Sequence, residues 1–394
     1  MNNVMKNTIK RIASLKDYPI ICVFVTIFLI CFFRQTTLYS QYEILTFLSA
    51  KVLYFIRYLC ISLFLFYFYF YKVEKKYFYV FIAFIILDYV LKKLSNTHIF
   101  FEMFFIPFFL SKFVCRDKLF KVLFFVSFFS FISVILMNYI GILQSDEFFR
   151  DDKTRFALGF VHPNSLGLLI IYTAILYSLS KDYISPIFLV ILIFIAFFNW
   201  FVPRSVTSSL IIFIYSLSLV ILYFFKFEKF FNNNKRLLFY IIVISMFFMI
   251  FLMYYVAYTG NGKDLLLKCP GAIWSRFDLG IMAYERYGLT LWGTPIVQTI
   301  PDASKDVTEY FVVDCSYFFI PINYGIVIYV LYIAAIILIT YKTICKGDYK
   351  YLTVLLLVLF YGISENLLTA QLIMPIYAYI FCTKNISEDY IQTR

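Results

Sequence analysis

Histidine is nearly missing from this chain, with two in 394 residues, and charged side chains make up only 15%. Eight cysteines are present, but no CxxC pair and no metal-ligand spacing occurs among them. A metal or redox site of the CxxC kind is thereby excluded. Most cysteines fall in apolar runs, as Cys22, Cys31 and Cys60 do, where the residue packs as a small hydrophobe. Only Cys269 and Cys315 share one long polar segment, and a disulfide between them is left open. No small-residue cleavage site follows the basic and then apolar stretch "NTIKRIASLKDYPIICVFVTIFLICFF", so it reads as a signal anchor.

What fills the chain is apolar surface. Hydrophobic residues make up 63% of it, and its mean hydropathy is +0.84. A soluble domain of this size cannot bury so much, so the solvent is lipid. The formal charge of +12 then needs no nucleic acid, because membrane proteins keep Lys and Arg in their cytoplasmic loops. The 51 Phe and 35 Tyr read as an AT-rich coding bias, with Tyr useful at membrane interfaces, rather than as a binding feature.

The expected fold is an all-α integral membrane protein, a single multi-pass domain over 1–394. Hydrophobic length predicts about twelve transmembrane helices. They centre on 18–33, 52–71, 77–94, 99–114, 119–141, 164–180, 184–201, 206–225, 237–257, 316–340, 350–363 and 367–382. Two connections are long, 142–163 and 258–315, the second between spans nine and ten. With the N-terminus inside, the segments "MKNTIKRIASLK", "KVEKK", "KFVCRDKLFK", "KD", "KFEKFFNNNKR", "YKTICKGDYK" and the C-terminal tail collect most of the 35 basic residues. Both long loops then face outward and both termini face the cytoplasm.

That orientation puts the chemically capable groups on one face. Arg155, His162 and Asn164 stand in "RFALGFVHPNSLG" before span six, and Arg204 sits in the short connection "VPRS". Arg276 and Arg286 lie in the long outer loop, Asp314 stands at the entry to span ten, and Glu365 and Asn366 occupy the last outer turn. Arginines gathered at a membrane surface suit phosphate, because the guanidinium is planar, permanently charged and bidentate. An interfacial snorkelling anchor is the competing reading for each. "AIWSRFDLGIMAYERYG" reads as an amphipathic helix with Ile273, Phe277, Ile281 and Tyr284 on one side. At 100° per residue, Arg276 and Arg286 stand roughly 80° apart around it, close enough to face one site. Asp314 is either the N-cap of span ten or a carboxylate able to accept a proton from a hydroxyl. His162 is either a structural hydrogen-bonding residue or a base or donor near neutral pH. Pro163 and Asn164 suit the start of a helix.

"RFALGFVHPNSLG", then "PRS", then an outer loop with "SRF", then "DCSYFFIPINYG" resembles, in that order, the O-antigen polymerase (Wzy-type) and O-antigen ligase superfamily. Asp314 and Gly325 keep the spacing that the ligase branch shows between a His and its Gly; Cys315 stands where Asn is common. The resemblance implies a GT-C-like glycosyltransferase in a bacterial cytoplasmic (inner) membrane, inverting, with no metal and no other cofactor. Its implied substrate is an undecaprenyl diphosphate-linked oligosaccharide at the outer face, destined for capsule, exopolysaccharide or O-antigen. It implies that Arg204, Arg276 and Arg286 hold the diphosphate and that Asp314 activates the acceptor hydroxyl. Arg155, His162, Asn164 and Tyr317 support the site or the glycan. Membrane lipids surround the chain, and a chain-length regulator is a candidate partner. The chain has no Asp-x-Asp pair, and a lipid-linked donor needs no such nucleotide clamp.

Two rivals predict different features. A ligase moves a finished chain to another acceptor, and Asp314 in place of His favours the polymerase. A flippase for the same lipid needs charge deep in its spans and a repeat relating its halves. No such repeat is evident, and the polar groups lie at one face.

Overall fold

The computed structural model describes residues 17–70, 74–95, 101–145, 147–150, 153–224, 227–259, 271–299 and 311–383. They are mostly helical. Five helices are long and apolar enough to cross a membrane: α2 (Glu43–Phe70), α4 (Arg116–Tyr139), α7 (Val206–Phe224), α8 (Lys235–Tyr258) and α11 (Ile326–Lys346). Shorter apolar helices are α1 (Asp17–Phe33), α5 (Pro163–Leu179), α6 (Pro186–Phe201) and α12 (Tyr349–Tyr361). The helices α3 (Lys75–Ser95), α9 (Gly271–Tyr287) and α10 (Ser316–Asn323) complete the principal set.

The chain divides into two compact units. The first comprises Met1–Ile82, Glu102–Val220 and Met374–Arg394; the second comprises Ala83–Phe101 and Ile221–Ile373.

In the first unit the helix starts are written locally. His162 caps α5, with its Nδ1 accepting from Asn164 N at 3.1 Å and Pro163 supplying the first turn. Ser185 and Pro186 repeat that arrangement at α6, where Ser185 Oγ accepts from Phe188 N at 3.2 Å. Aromatic packing closes the core. Phe28 stacks on Tyr172, and Phe32 and Phe131 both meet Phe160. The linker after α1 is tied to the segment before α5: Thr37 N donates to Gly159 O and Val161 N to Gln35 O.

Several sequence expectations are corrected here. The connection 142–163 is not plain loop: β1 (Glu147–Arg150) pairs antiparallel with β2 (Lys153–Phe156), with Phe148 opposite Arg155. The run 99–114 is not an α-helix but a π-helix over Phe101–Leu110, followed by a 3-10 turn. Pro107 inside it cannot donate the backbone bond that an α-helix needs. The run 367–382 is broken into a 3-10 turn, the short helix Met374–Ala378 and a second 3-10 turn.

The second unit holds the amphipathic helix expected in 258–315, as α9. Ile281 is buried on its inner side and Phe277 meets the ring of Phe318; the side chain of Ile273 lies outside the described residues. The expected single span 316–340 is two helices, α10 and α11, separated at Tyr324 and Gly325. Gly325 has φ +93 and crosses Gly293, φ +85. A Cβ on Gly325 would stand 2.4 Å from Leu291 O, and one on Gly293 would stand 2.5 Å from Asn323 O. Backbone bonds from Thr294 N to Ile322 O and from Ile326 N to Thr290 O seal this crossing. Asp314 does not cap α10. Cys315 holds the cap position and no side chain caps the helix. Cys315 is a buried free thiol, and Cys269 lies outside the described residues.

Candidate functional site

The expected residues fall into two clusters, one in each unit.

In the first unit, β2 carries Arg155 inward until its side chain is buried. Its Nε donates to Pro203 O at 3.0 Å and its Nη2 to Asn164 Oδ1 at 2.7 Å. Phe156 N also donates to Val202 O at 3.2 Å, so the hairpin is sewn to the connection before α7. Arg155 thus braces the two neighbours, the start of α5 and the "VPRS" turn.

That turn presents Arg204 in a rare conformation. Its φ is +49, and Leu158 at +48 is the other non-glycine described residue in this region. A side chain other than glycine in the left-handed region costs about 1–3 kcal/mol, and such strain persists only where the surroundings enforce it. The enforcing bonds are visible: Arg155 to Pro203 O before the residue, and Ser205 N to Asn199 O after it. Nη1 of Arg204 is buried and meets no hydrogen-bond acceptor among the described residues. Five positions earlier, fully buried Asn199 has no hydrogen-bond partner for either side-chain amide atom among the described residues. Unpaired buried polar groups each cost about 1–3 kcal/mol, so two of them five positions apart in sequence need an explanation beyond folding.

His162 packs edge-on to Phe148, with its Nδ1 used in the cap. That bond assigns the proton of the neutral ring to Nε2. Burial, and then the charge of Arg155, lower the pKa from 6.5 to about 4. At neutral pH His162 is therefore a capping acceptor on one side and an N–H donor on the other, and not a charged group.

In the second unit, α9 delivers Arg276. Gly280, one turn on, lets α9 lie directly against α10: a Cβ there would stand 2.5 Å from the ring of Phe318. Arg276 Nη2 donates to Glu365 Oε1 at 3.1 Å, while its Nε stands 3.9 Å from Asp314 Oδ2. One cation faces two carboxylates. A charge-assisted bond of the first kind contributes about 1.5–3 kcal/mol; the second contact is an ion pair without a hydrogen bond. Burial raises the pKa of Asp314, and Arg276 acts in the opposite direction. Burial is the leading cause that pushes the adjacent Cys315 thiol up to about 12.

Ser316 fixes the frame. Its Oγ donates to Glu365 O and accepts from Leu367 N and Leu368 N, and its own N donates to Gly362 O. The turn bearing Glu365 is thereby pinned two residues from Asp314. Tyr317 points elsewhere, with its hydroxyl donating to Leu359 O at 2.9 Å. Arg286 is also placed apart. Ten residues along α9 separate it from Arg276 by about 15 Å of axial rise, which the angular estimate from sequence ignored. Its guanidinium lies over the ring of Phe311 at 4.5 Å.

Sequence reasoning noted Glu365 on the outer turn but gave it no role, and it passed over Asn199 and Ser316. A lone carboxylate in the apolar context "YGISENLLTA" was the available signal for Glu365. Among the described residues no three His, Cys, Asp or Glu side chains converge as a metal site. No protein-family model matches the chain, and no curated protein or solved structure matches it significantly.

Proposed function

We propose that the chain is a polysaccharide repeat-unit polymerase, a membrane glycosyltransferase with about twelve spans and both termini in the cytoplasm. It transfers the growing glycan from undecaprenyl diphosphate to a hydroxyl of the next lipid-linked repeat unit. The observation that carries this reading is Arg204: a guanidinium held in a strained turn, with a buried nitrogen that meets no acceptor among the described residues. Such a group is prepared for an anion that arrives with the substrate. A diphosphate suits it, because a guanidinium binds phosphate oxygens through two parallel bonds.

The reaction needs two further things. The acceptor hydroxyl must lose its proton as its oxygen bonds to the anomeric carbon, and the bond from that carbon to the phosphate oxygen must break. Asp314, buried enough to retain basicity, takes the proton. The diphosphate leaves with the bonding electron pair, and a guanidinium charge stabilises it as it forms. His162 Nε2–H is a neutral donor for a phosphate or sugar oxygen.

The test is a polymer assay in a strain lacking the gene, complemented with the natural chain or Asp314→Asn, with products resolved by chain length. Single lipid-linked repeat units should accumulate both without the gene and with Asp314→Asn present in the membrane. Long chains left on the lipid carrier would make the protein a ligase. Repeat units confined to the cytoplasmic leaflet would make it a flippase.

A further inference from the structure

Arg276 is shared unequally. Its Nη2 is hydrogen-bonded to Glu365 at 3.1 Å, while the nearest Asp314 oxygen stands 3.9 Å from its Nε. The three formal charges sum to minus one, so Glu365 has already taken up the arginine's charge. An arginine so engaged is a poor anion clamp and a good lever on a neighbouring carboxylate. Had Arg276 forked onto Asp314 instead, both Asp314 oxygens would be occupied by donors. A carboxylate that accepts such bonds loses basicity.

The bracing of Glu365 supports a fixed role. Its backbone carbonyl accepts from Ser316 Oγ at 2.8 Å, and Ser316 is fully buried. Glu365 and Asp314 are therefore held on one frame, at either side of one guanidinium. Among the described residues, the charged and titratable groups that face Asp314 are Arg276 of α9 and Cys315 of its own segment, with Glu365 of the turn after α12 on the same guanidinium. Tyr329 of α11 interacts with Cys315 and Tyr317, and Tyr254 of α8 interacts with Tyr329.

We infer that Glu365 is a positioning residue: by holding Arg276 through Nη2, it keeps that guanidinium off Asp314 and leaves the Asp314 carboxylate open to a hydroxyl proton. This rests on the polymerase reading of Asp314.

The experiment measures polymer formation from lipid-linked repeat units against pH, in membranes carrying the natural chain or Glu365→Gln. The glutamine matches the side chain in shape and removes its charge. Arg276 then turns to Asp314, so the acid limb of the profile should move down by about one pH unit, with a lower plateau. An acid limb that superimposes on that of the natural chain overturns the inference. So does a variant that reaches the membrane yet makes no polymer at any pH, because positioning leaves the base in place. If Glu365→Gln does not accumulate, Glu365→Asp is read in its stead. Its shorter carboxylate should move the limb the same way by less, and an unmoved limb overturns the proposal. If membranes with the natural chain make no more polymer than membranes without it, the polymerase reading itself has failed, and that result is separate from any shift in the profile.

Discussion

Arg155 Nη2 donates to Asn164 Oδ1 across 2.7 Å while its Nε holds Pro203 O at 3.0 Å. One buried guanidinium thus joins the hairpin, the start of α5 and the turn that carries Arg204. Those bonds fix the turn on which Arg204 stands. Arg155→Lys keeps the charge and loses the fork. The detergent-solubilised protein should lose about 1.5–3 kcal/mol of stability, seen as a lower thermal midpoint. An unchanged midpoint would show that the brace carries no energy.

Arg204 separates charge from backbone strain. Arg204→Gly relieves the left-handed conformation and should raise stability by about 1 kcal/mol while abolishing polymer. Arg204→Lys keeps a charge, cannot form the fork, and should fold normally with most activity gone. Near-normal polymer yield from the lysine variant would remove the diphosphate role.

His162 makes a pH-dependent contribution to stability. Its pKa is lowered from 6.5 to about 4, chiefly by burial. The folded chain binds this proton more weakly than the unfolded chain does. Its contribution is full above the unfolded value and is lost as pH falls through the window between the two. His162→Asn retains an acceptor for Asn164 N without titrating. The fall in melting midpoint between neutral pH and pH 4 should therefore be smaller in that variant, and an equal fall would place the acid sensitivity elsewhere.

Orientation is testable at two exposed side chains. Leu291 follows α9 in the long loop and Tyr183 lies in the short connection before α6; both are exposed. In a background with the natural cysteines replaced, Leu291→Cys should react with a membrane-impermeant thiol reagent on intact cells. Tyr183→Cys should react only after lysis. The opposite pattern would invert the topology and move the proposed site inside.

Features that repeat or that need a particular residue could be read from the sequence. Amphipathic α9 followed from its apolar spacing, and the start of α5 followed from "HPNSLG", although the capping side chain is His162 and not Asn164. Hydropathy is blind to a break inside an apolar run. "SYFFIPINYGIVIYVLYI" reads as one span, and only the close approach of the 290–294 backbone shows why it parts at Gly325. Long-range polarity was equally hidden. Glu365 lies 89 positions from Arg276, and no local pattern links them. Arg276 and Arg286 stand roughly 80° apart around α9 and still fail to meet, because angular position says nothing of distance along the axis.

The crossing of Gly293 and Gly325 has a consequence for descent. Each lacks a side chain because the other's strand of backbone occupies the space, and backbone has no smaller substitute to offer. No second-site change at either position can rescue an alanine at its partner. The two glycines, 32 residues apart by subtraction of their numbers, behave as one inherited character. Lineages that keep this crossing must transmit both, and any lineage that loses one has rebuilt the loop.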